Sequence, residues 1–287
     1  MDFAGQEASD LIMKTLSSDK PAMISRFGAV EIQCVYEYLT QPNFENSLKY
    51  IKGEIDSIGW SRFTFEDMPR NAGFFPPNVR NFEKFSELML AEMEQIDILG
   101  SWRAEENLFK EELKNAKKVR LRDLEPYYHP RPWSQVLEGK KVLVIHPFEE
   151  SIRHQYQKRA LLFSDKRILP QFDLTIIKAV QSIAHNKVNF KDWFEALEYM
   201  KEAVAKEKFD IALMGCGAYG MPLASFVKLM GKQAVHMGGA LQILFGIRGA
   251  RWESHETISK LFNKHWIKPL QIDYPDNFMV VEEGCYW

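Results

Sequence analysis

Arg26 and Glu31, separated by Phe27-Gly28-Ala29-Val30, place a guanidinium and a carboxylate on either side of a glycine. Such a pair can neutralise itself. It can also divide the work, with Arg26 on a phosphate and Glu31 as general base or metal ligand, and spacing leaves both open. Farther along, Gly215-Cys216-Gly217-Ala218-Tyr219-Gly220 matches GxGxxG. The glycines of that pattern allow a tight turn and close backbone approach, so that N–H groups and a helix dipole meet a phosphate. Glycine used only for tight packing is the plainer alternative. A nicotinamide cofactor would call for an acid at the end of the next strand. That run, Ala234-Val235-His236-Met237-Gly238-Gly239, has none.

Gly238 and Gly239 repeat the logic of exposed backbone donors, and His236 beside them is a phosphate donor, an acid or a local hydrogen-bonding residue. Arg248 and Arg251 flank Gly249 ahead of Trp252. Guanidinium forks suit phosphates and carboxylates, and equally face solvent. A further turn begins at His146 and runs through Glu149, Glu150 and Arg153. The two acids there stabilise a helix N-terminus, while Arg153 can point a donor toward a ligand at the sheet edge. Trp102 is a candidate for stacking on a sugar or base, with core packing the alternative. Glu105 and Glu106 are reserve bases or parts of an exposed helix.

These residues need elements to hold them. Short apolar runs at 22–26, 96–99, 118–121, 141–145, 174–179, 211–214 and 233–237 are expected as strands. Helices are expected at 6–17, after Gly28 through Leu39, and at 79–94, 104–115, 150–163, 191–206, 221–230 and 240–247. Strand and helix in regular turn imply an α/β fold, a Rossmann-like, mostly parallel sheet covered by helices on both faces. Ligands bind such sheets at the strands' carboxyl ends. The segment 124–134, with three prolines and three aromatics, is the best linker. It divides the chain into an N-terminal lobe, 1–135, and a Rossmann-like lobe, 136–287, which together can form one unit.

At 287 residues with 46% hydrophobic and 26% charged, the chain is globular, and disordered or fibrous classes are excluded. A formal charge of −2 gives no general polyphosphate footprint, so no nucleic-acid partner is expected. The balance is an average over an acidic stretch, 83–112, and a basic one, 152–167, which is expected to lie beside the cleft. Three cysteines, Cys34, Cys216 and Cys285, make no disulfide framework and fit a reducing cytoplasm. No signal peptide and no run of about 20 apolar residues is present, so membrane contact would be peripheral. The run 277–287, ending in Cys285-Tyr286-Trp287, is expected to dock on the body, as a closure of the cleft or as a homodimer contact.

The turn Arg26-Phe27-Gly28-Ala29-Val30-Glu31, with the strand–glycine–helix run from Asp210 to Gly239, resembles the GT-D-type glycosyltransferases, a bacterial group linked to surface-glycan and capsule assembly. The likeness is strongest over 22–39 and 140–253. It implies a Rossmann-related enzyme that moves a hexose from a nucleoside diphosphate sugar, a UDP-sugar above all, to a glycan or lipid-linked glycan. It also implies a cytoplasmic site of action at the inner face of the membrane. A divalent metal, Mn²⁺ or Mg²⁺, would sit on an Asp-x-Glu pair in that turn, and here Ala29 stands in the aspartate's place while Glu31 remains. By this resemblance Glu31, Arg26 and His146 are the catalytic candidates. Gly215, Gly217, Gly220, His236, Gly238, Gly239, Arg153, Arg248 and Arg251 would hold the diphosphate. A non-catalytic nucleotide-sugar-binding protein and an enzyme using NAD or S-adenosylmethionine are the alternatives.

Overall fold

The computed structural model describes residues 1–287. Its centre is one wholly parallel sheet of seven strands, β1 (Ala22–Ser25), β2 (Ile98–Ser101), β3 (Lys117–Arg120), β4 (Lys141–His146), β5 (Asp173–Lys178), β6 (Ile211–Met214) and β7 (Gln233–His236). They lie in the order β3-β2-β1-β7-β6-β4-β5. The inner strands are buried along their length because both faces are covered, whereas the edge strands β3 and β5 carry exposed lysines that discourage further pairing. β1 pairs with β7, Ile24 opposite Val235, so a single sheet runs through both halves of the chain.

The helices are α1 (Gln6–Leu16), α2 (Ala29–Leu39), α3 (Phe44–Ile51), α4 (Arg62–Asn71), α5 (Val79–Met93), α6 (Glu149–Tyr156), α7 (Arg159–Leu162), α8 (Trp193–Lys206), α9 (Gly220–Leu229), α10 (Leu241–Leu244) and α11 (Ala250–Glu253). Cores of 36 and 34 buried apolar residues lie on the two faces of the sheet, so neither face dominates. The first packs α2, α4, α5, α8 and α9 around Phe74, Phe85 and Trp193. The second packs α1, α6 and the C-terminal segment around Phe148 and Trp287. No helix is long and apolar enough to cross a membrane.

Three expected helices differ. At 104–115 only a 3₁₀ turn, Ala104–Leu108, forms, its start capped by the Glu106 carboxylate, which accepts from the backbone N–H groups of Trp102 (2.9 Å) and Arg103 (3.0 Å). The helix expected at 150–163 breaks after Tyr156, whose hydroxyl accepts from Phe172 N–H and donates to Phe172 C=O, docking the helix end beside β5. The one expected at 240–247 shortens to α10 after a 3₁₀ turn, Gly238–Ala240. Helices α3 and α4 fall in a stretch where no element was expected, and both start on side-chain caps, Asn43 and Ser61.

β4 leads outward to β5 while β6 leads inward to β7. The connections therefore leave the β4–β6 boundary in opposite directions, the place where open parallel sheets form a crevice beyond their carboxyl ends.

Candidate functional site

At that crevice lies a cavity of about 220 Å³. Arg26 enters it from the end of β1, His146 from β4, Gly215 and Gly217 from the turn after β6, and His236, Gly238 and Gly239 from the end of β7. Asn71 and Gly73 close one end, where the Ser182 hydroxyl donates to the Gly73 carbonyl. Arg251, Glu282, Tyr286 and Trp287 form a wall at the other.

The glycines work through close approach. A Cβ on Gly215 would stand 2.6 Å from the Gly238 carbonyl oxygen and 2.8 Å from His146 Cδ2, so only glycine lets the β6 and β7 turns touch. Gly238 takes φ +65°, and its Cα lies against the Arg26 guanidinium. The N–H groups of Gly215 and Ala218 already donate to Ile145 C=O (3.0 Å) and Ala72 C=O (3.4 Å). They are not free for a phosphate. Gly220 is outside the cavity lining, and a Cβ there would strike the His236 ring, so it makes room for the histidine.

Both histidines are neutral. Burial pushes His146 down to about 3, and burial together with the Arg26 charge does the same for His236. The Phe148 N–H donates to His146 Nδ1 at 3.0 Å, which leaves the ring proton on Nε2. His146 is therefore a neutral hydrogen-bond donor. His236 Nδ1 shares a hydrogen bond with Ser25 Oγ at 3.1 Å, tying β7 to β1.

Arg26 is enclosed by protein, and its Nε has no hydrogen-bond partner. Burial lowers its pKa, against the attraction of Glu31 and Tyr286. The Glu31 carboxylate folds back over Gly28 at the start of its own helix. Burial raises its pKa, against Arg26 and a backbone hydrogen bond.

On the opposite wall Arg251 forms an ion pair with Glu282, donates to the Tyr286 hydroxyl at 3.2 Å and lies 4.7 Å from that ring's centre. Two successive left-handed residues, Glu282 (φ +45°) and Glu283 (φ +57°), turn the chain so that the pair can form. Gly239 and Gly249 have no Cβ where Tyr286 docks, and Gln242 donates to the Tyr286 carbonyl at 3.1 Å. The closing role expected of the C-terminal run fits this placement.

Arg153 and Arg248 do not reach the cavity. Arg153 is half exposed and pairs with Glu149 one helical turn away. The basic run 152–167 contributes nothing to the lining, because Arg159, Lys166 and Arg167 bond Gln171, backbone carbonyls and Asp165 on the outer surface. Glu106 is spent on capping and Glu105 pairs with Arg103. Asn71 and Ser182 also line the cavity and belong to no motif, and Tyr286 lies in the C-terminal run expected to dock, none of whose residues carried a site role.

Glu125, in the proline-rich segment after β3, was also passed over. Burial pushes its pKa up to about 7, against the Tyr127 hydroxyl that donates to it and the Arg26 charge. Between about pH 4.5 and 7 the folded chain therefore holds a proton here that the unfolded chain has lost. The stability this proton contributes is full below that window and is lost as pH rises through it. Glu125→Gln is expected to melt above the wild type at roughly pH 8 and to converge with it near roughly pH 4. A melting-temperature difference that stays constant across pH would show that Glu125 does not titrate there.

No family model, curated protein or solved structure matches the chain.

Proposed function

We infer that the cavity binds a nucleoside diphosphate sugar and that the protein transfers the hexose to a hydroxyl group of a glycan acceptor. The observation that carries this reading is a set of unpartnered polar atoms in residues that line the cavity. Eight buried side-chain atoms in the chain lack a hydrogen-bond partner, and three of them, Arg26 Nε, Trp287 Nε1 and Asn71 Oδ1, belong to residues lining this one cavity. Each such atom costs about 1–3 kcal/mol when left unmade. Clustering at the switch point of a parallel sheet favours a ligand that completes them.

The two ends differ in chemistry. Arg26, Arg251, His146 Nε2–H and Trp287 Nε1–H are donors suited to a diphosphate. Asn71, Gly73 and Ser182 offer neutral polar groups suited to a nucleoside. In the transfer, the acceptor oxygen forms a bond to the anomeric carbon as the bond to the diphosphate oxygen breaks. The electron pair leaves on the diphosphate, where the arginines and the His146 N–H stabilise it. The acceptor proton passes to Glu31, whose carboxylate burial makes more basic than an ordinary one.

A divalent cation fits poorly at Glu31. Hard cations take about six oxygen ligands. Here Ala29 supplies none, the Glu31 carboxylate lies against Gly28 with the Arg26 charge facing it, and Glu282 is tied to Arg251. No group of three or more His, Cys, Asp or Glu elsewhere could hold such an ion. Charge neutralisation is assigned to the arginines and N–H donors.

The folding of Glu31 onto its own helix favours one second reading, a protein that binds the nucleotide sugar without transferring it. Thermal shift and calorimetry with UDP-, GDP- and CDP-sugars, NAD and S-adenosylmethionine, with and without Mn²⁺, test both. Stabilisation by a sugar nucleotide with sugar release or transfer supports the transferase. Binding without either supports the binding protein. Stabilisation only by NAD or S-adenosylmethionine overturns both.

A further inference from the structure

A second cavity, of about 470 Å³, opens beside the first, bordered by α2, the segment after α3 and the 3₁₀ turn Ala104–Leu108. Trp102 is the one residue that lines both cavities. Its side chain is fixed although the residue is 42% exposed. The indole N–H donates to the Phe27 carbonyl at 3.0 Å, and the buried Glu106 carboxylate accepts from the Trp102 N–H at 2.9 Å. A large aromatic held rigid but left open to solvent gives up the stabilisation that burial would bring, and it presents a flat, preorganised face. The Arg26 and Arg103 guanidiniums lie 5.3 and 5.2 Å from the ring centre, so the indole is flanked by a cation of the first cavity and that of the second, and a sugar laid on it also meets Arg103.

The lining of the second cavity is net acidic, where that of the first is balanced. Glu54, Asp56 and Glu105 face a single cation, Arg103, which Glu105 already pairs. Gln33 and Asn107 add amides that both donate and accept. Hydroxyl groups find partners in such a lining, an ammonium group is welcome, and a carboxylate or phosphate is repelled.

We propose that this second cavity binds the acceptor, a neutral or amino-bearing pyranose of a glycan, laid against Trp102 with its reacting hydroxyl directed past the indole toward Arg26. The assignment as acceptor rests on the reading of the first cavity as the donor site.

Saturation-transfer NMR on the full chain tests it, with the methyl glycosides of glucose, galactose, glucosamine and glucuronic acid as probes and UDP titrated separately by calorimetry. Saturation of the neutral and amino glycosides is expected, with none of the glucuronide. The signal should fall at least about tenfold in Trp102→Ala. Asn107→Ala, an exposed change outside the first cavity, should weaken the glycoside signal and leave UDP affinity unchanged. It keeps the test open if the tryptophan variant fails to fold. Equal saturation of the glucuronide, a full signal in Asn107→Ala, or no glycoside signal in a protein that binds UDP would overturn the proposal. Glycoside binding in a protein that does not bind UDP would instead overturn the donor-site reading and leave a glycan site.

Discussion

Replacing Arg26 with alanine is expected to weaken UDP binding about 10- to 100-fold, the loss of a charge-assisted hydrogen bond worth about 1.5–3 kcal/mol. Arg26 is the cation most enclosed by protein in the cavity, and its Nε has no partner within the chain. Glu31, Tyr286 and Glu125 all act on it electrostatically, and the Gly238 turn packs against it. The fold should survive, because Glu31 already has a raised pKa and takes up a proton when the guanidinium opposite it is gone. Arg26→Lys should rescue little, since a point charge cannot reproduce the fork. Arg153→Ala, which removes only a half-exposed pair on the outer surface, should bind UDP as the wild type does. Calorimetry on the variants, with melting temperature as the control on folding, checks this. A folded Arg26→Ala protein binding UDP within about twofold of wild type would remove Arg26 from the site.

The lining carries two arginines and two glutamates, with the histidines neutral, so it is not a strongly cationic trough. An anionic ligand would therefore act by exchange. It displaces Glu282 from Arg251 and competes with Glu31 for Arg26, so its affinity reflects the difference between two partners for each arginine. A solvent-screened pair such as Arg251 with Glu282 contributes only about 0.2–1 kcal/mol, so the exchange costs little.

The limits of reading this sequence follow from where each signal lies. β6 is a continuous apolar run closed by Gly215, and β4 carries Val142 to Ile145 before His146, so composition alone marks both strands and the turns they deliver. Arg26, His146, His236 and the glycines follow directly because a strand end fixes where the next residue points. Arginine placement is not local in that sense. The basic run 152–167 looks like an anion site in one dimension, yet its side chains are consumed by neighbours within a few residues, such as Asp165 and Glu149. The opposite failure is the far wall. Tyr286 and Trp287 reach the cavity only because Gly239 and Gly249 leave space for a segment more than 30 residues downstream, and no periodicity encodes that docking. Helix α4 was missed because Pro69 and a mean polarity unlike a core helix mask it, although its Ser61 cap was readable.

Gly215→Ala is expected to lower both stability and ligand affinity, because the first obstacle its methyl group meets is backbone. The Gly238 carbonyl oxygen at 2.6 Å belongs to a turn that is itself held in a left-handed conformation, and Leu241 Cβ follows at 3.0 Å. Neither can swing away as a side-chain tip would, so the β6 and β7 turns must part. Overpacking of this kind costs about 1–3 kcal/mol. For a chain of this size that corresponds to a melting-temperature drop of roughly 2–10 °C. Separation also moves His146, whose Cδ2 lies 2.8 Å from the same methyl position, and carries Gly238 away from Arg26, so UDP affinity should fall by at least about tenfold. Gly239→Ala is the informative contrast. The nearest atoms its methyl meets are those of the Tyr286 ring, Cε1 first, and a side chain held by Arg251 can yield where backbone cannot. That variant should melt close to the wild type while losing affinity through a displaced wall. If Gly215→Ala melts no lower than Gly239→Ala, the two turns are not packed backbone to backbone, and the cavity is not built on their contact.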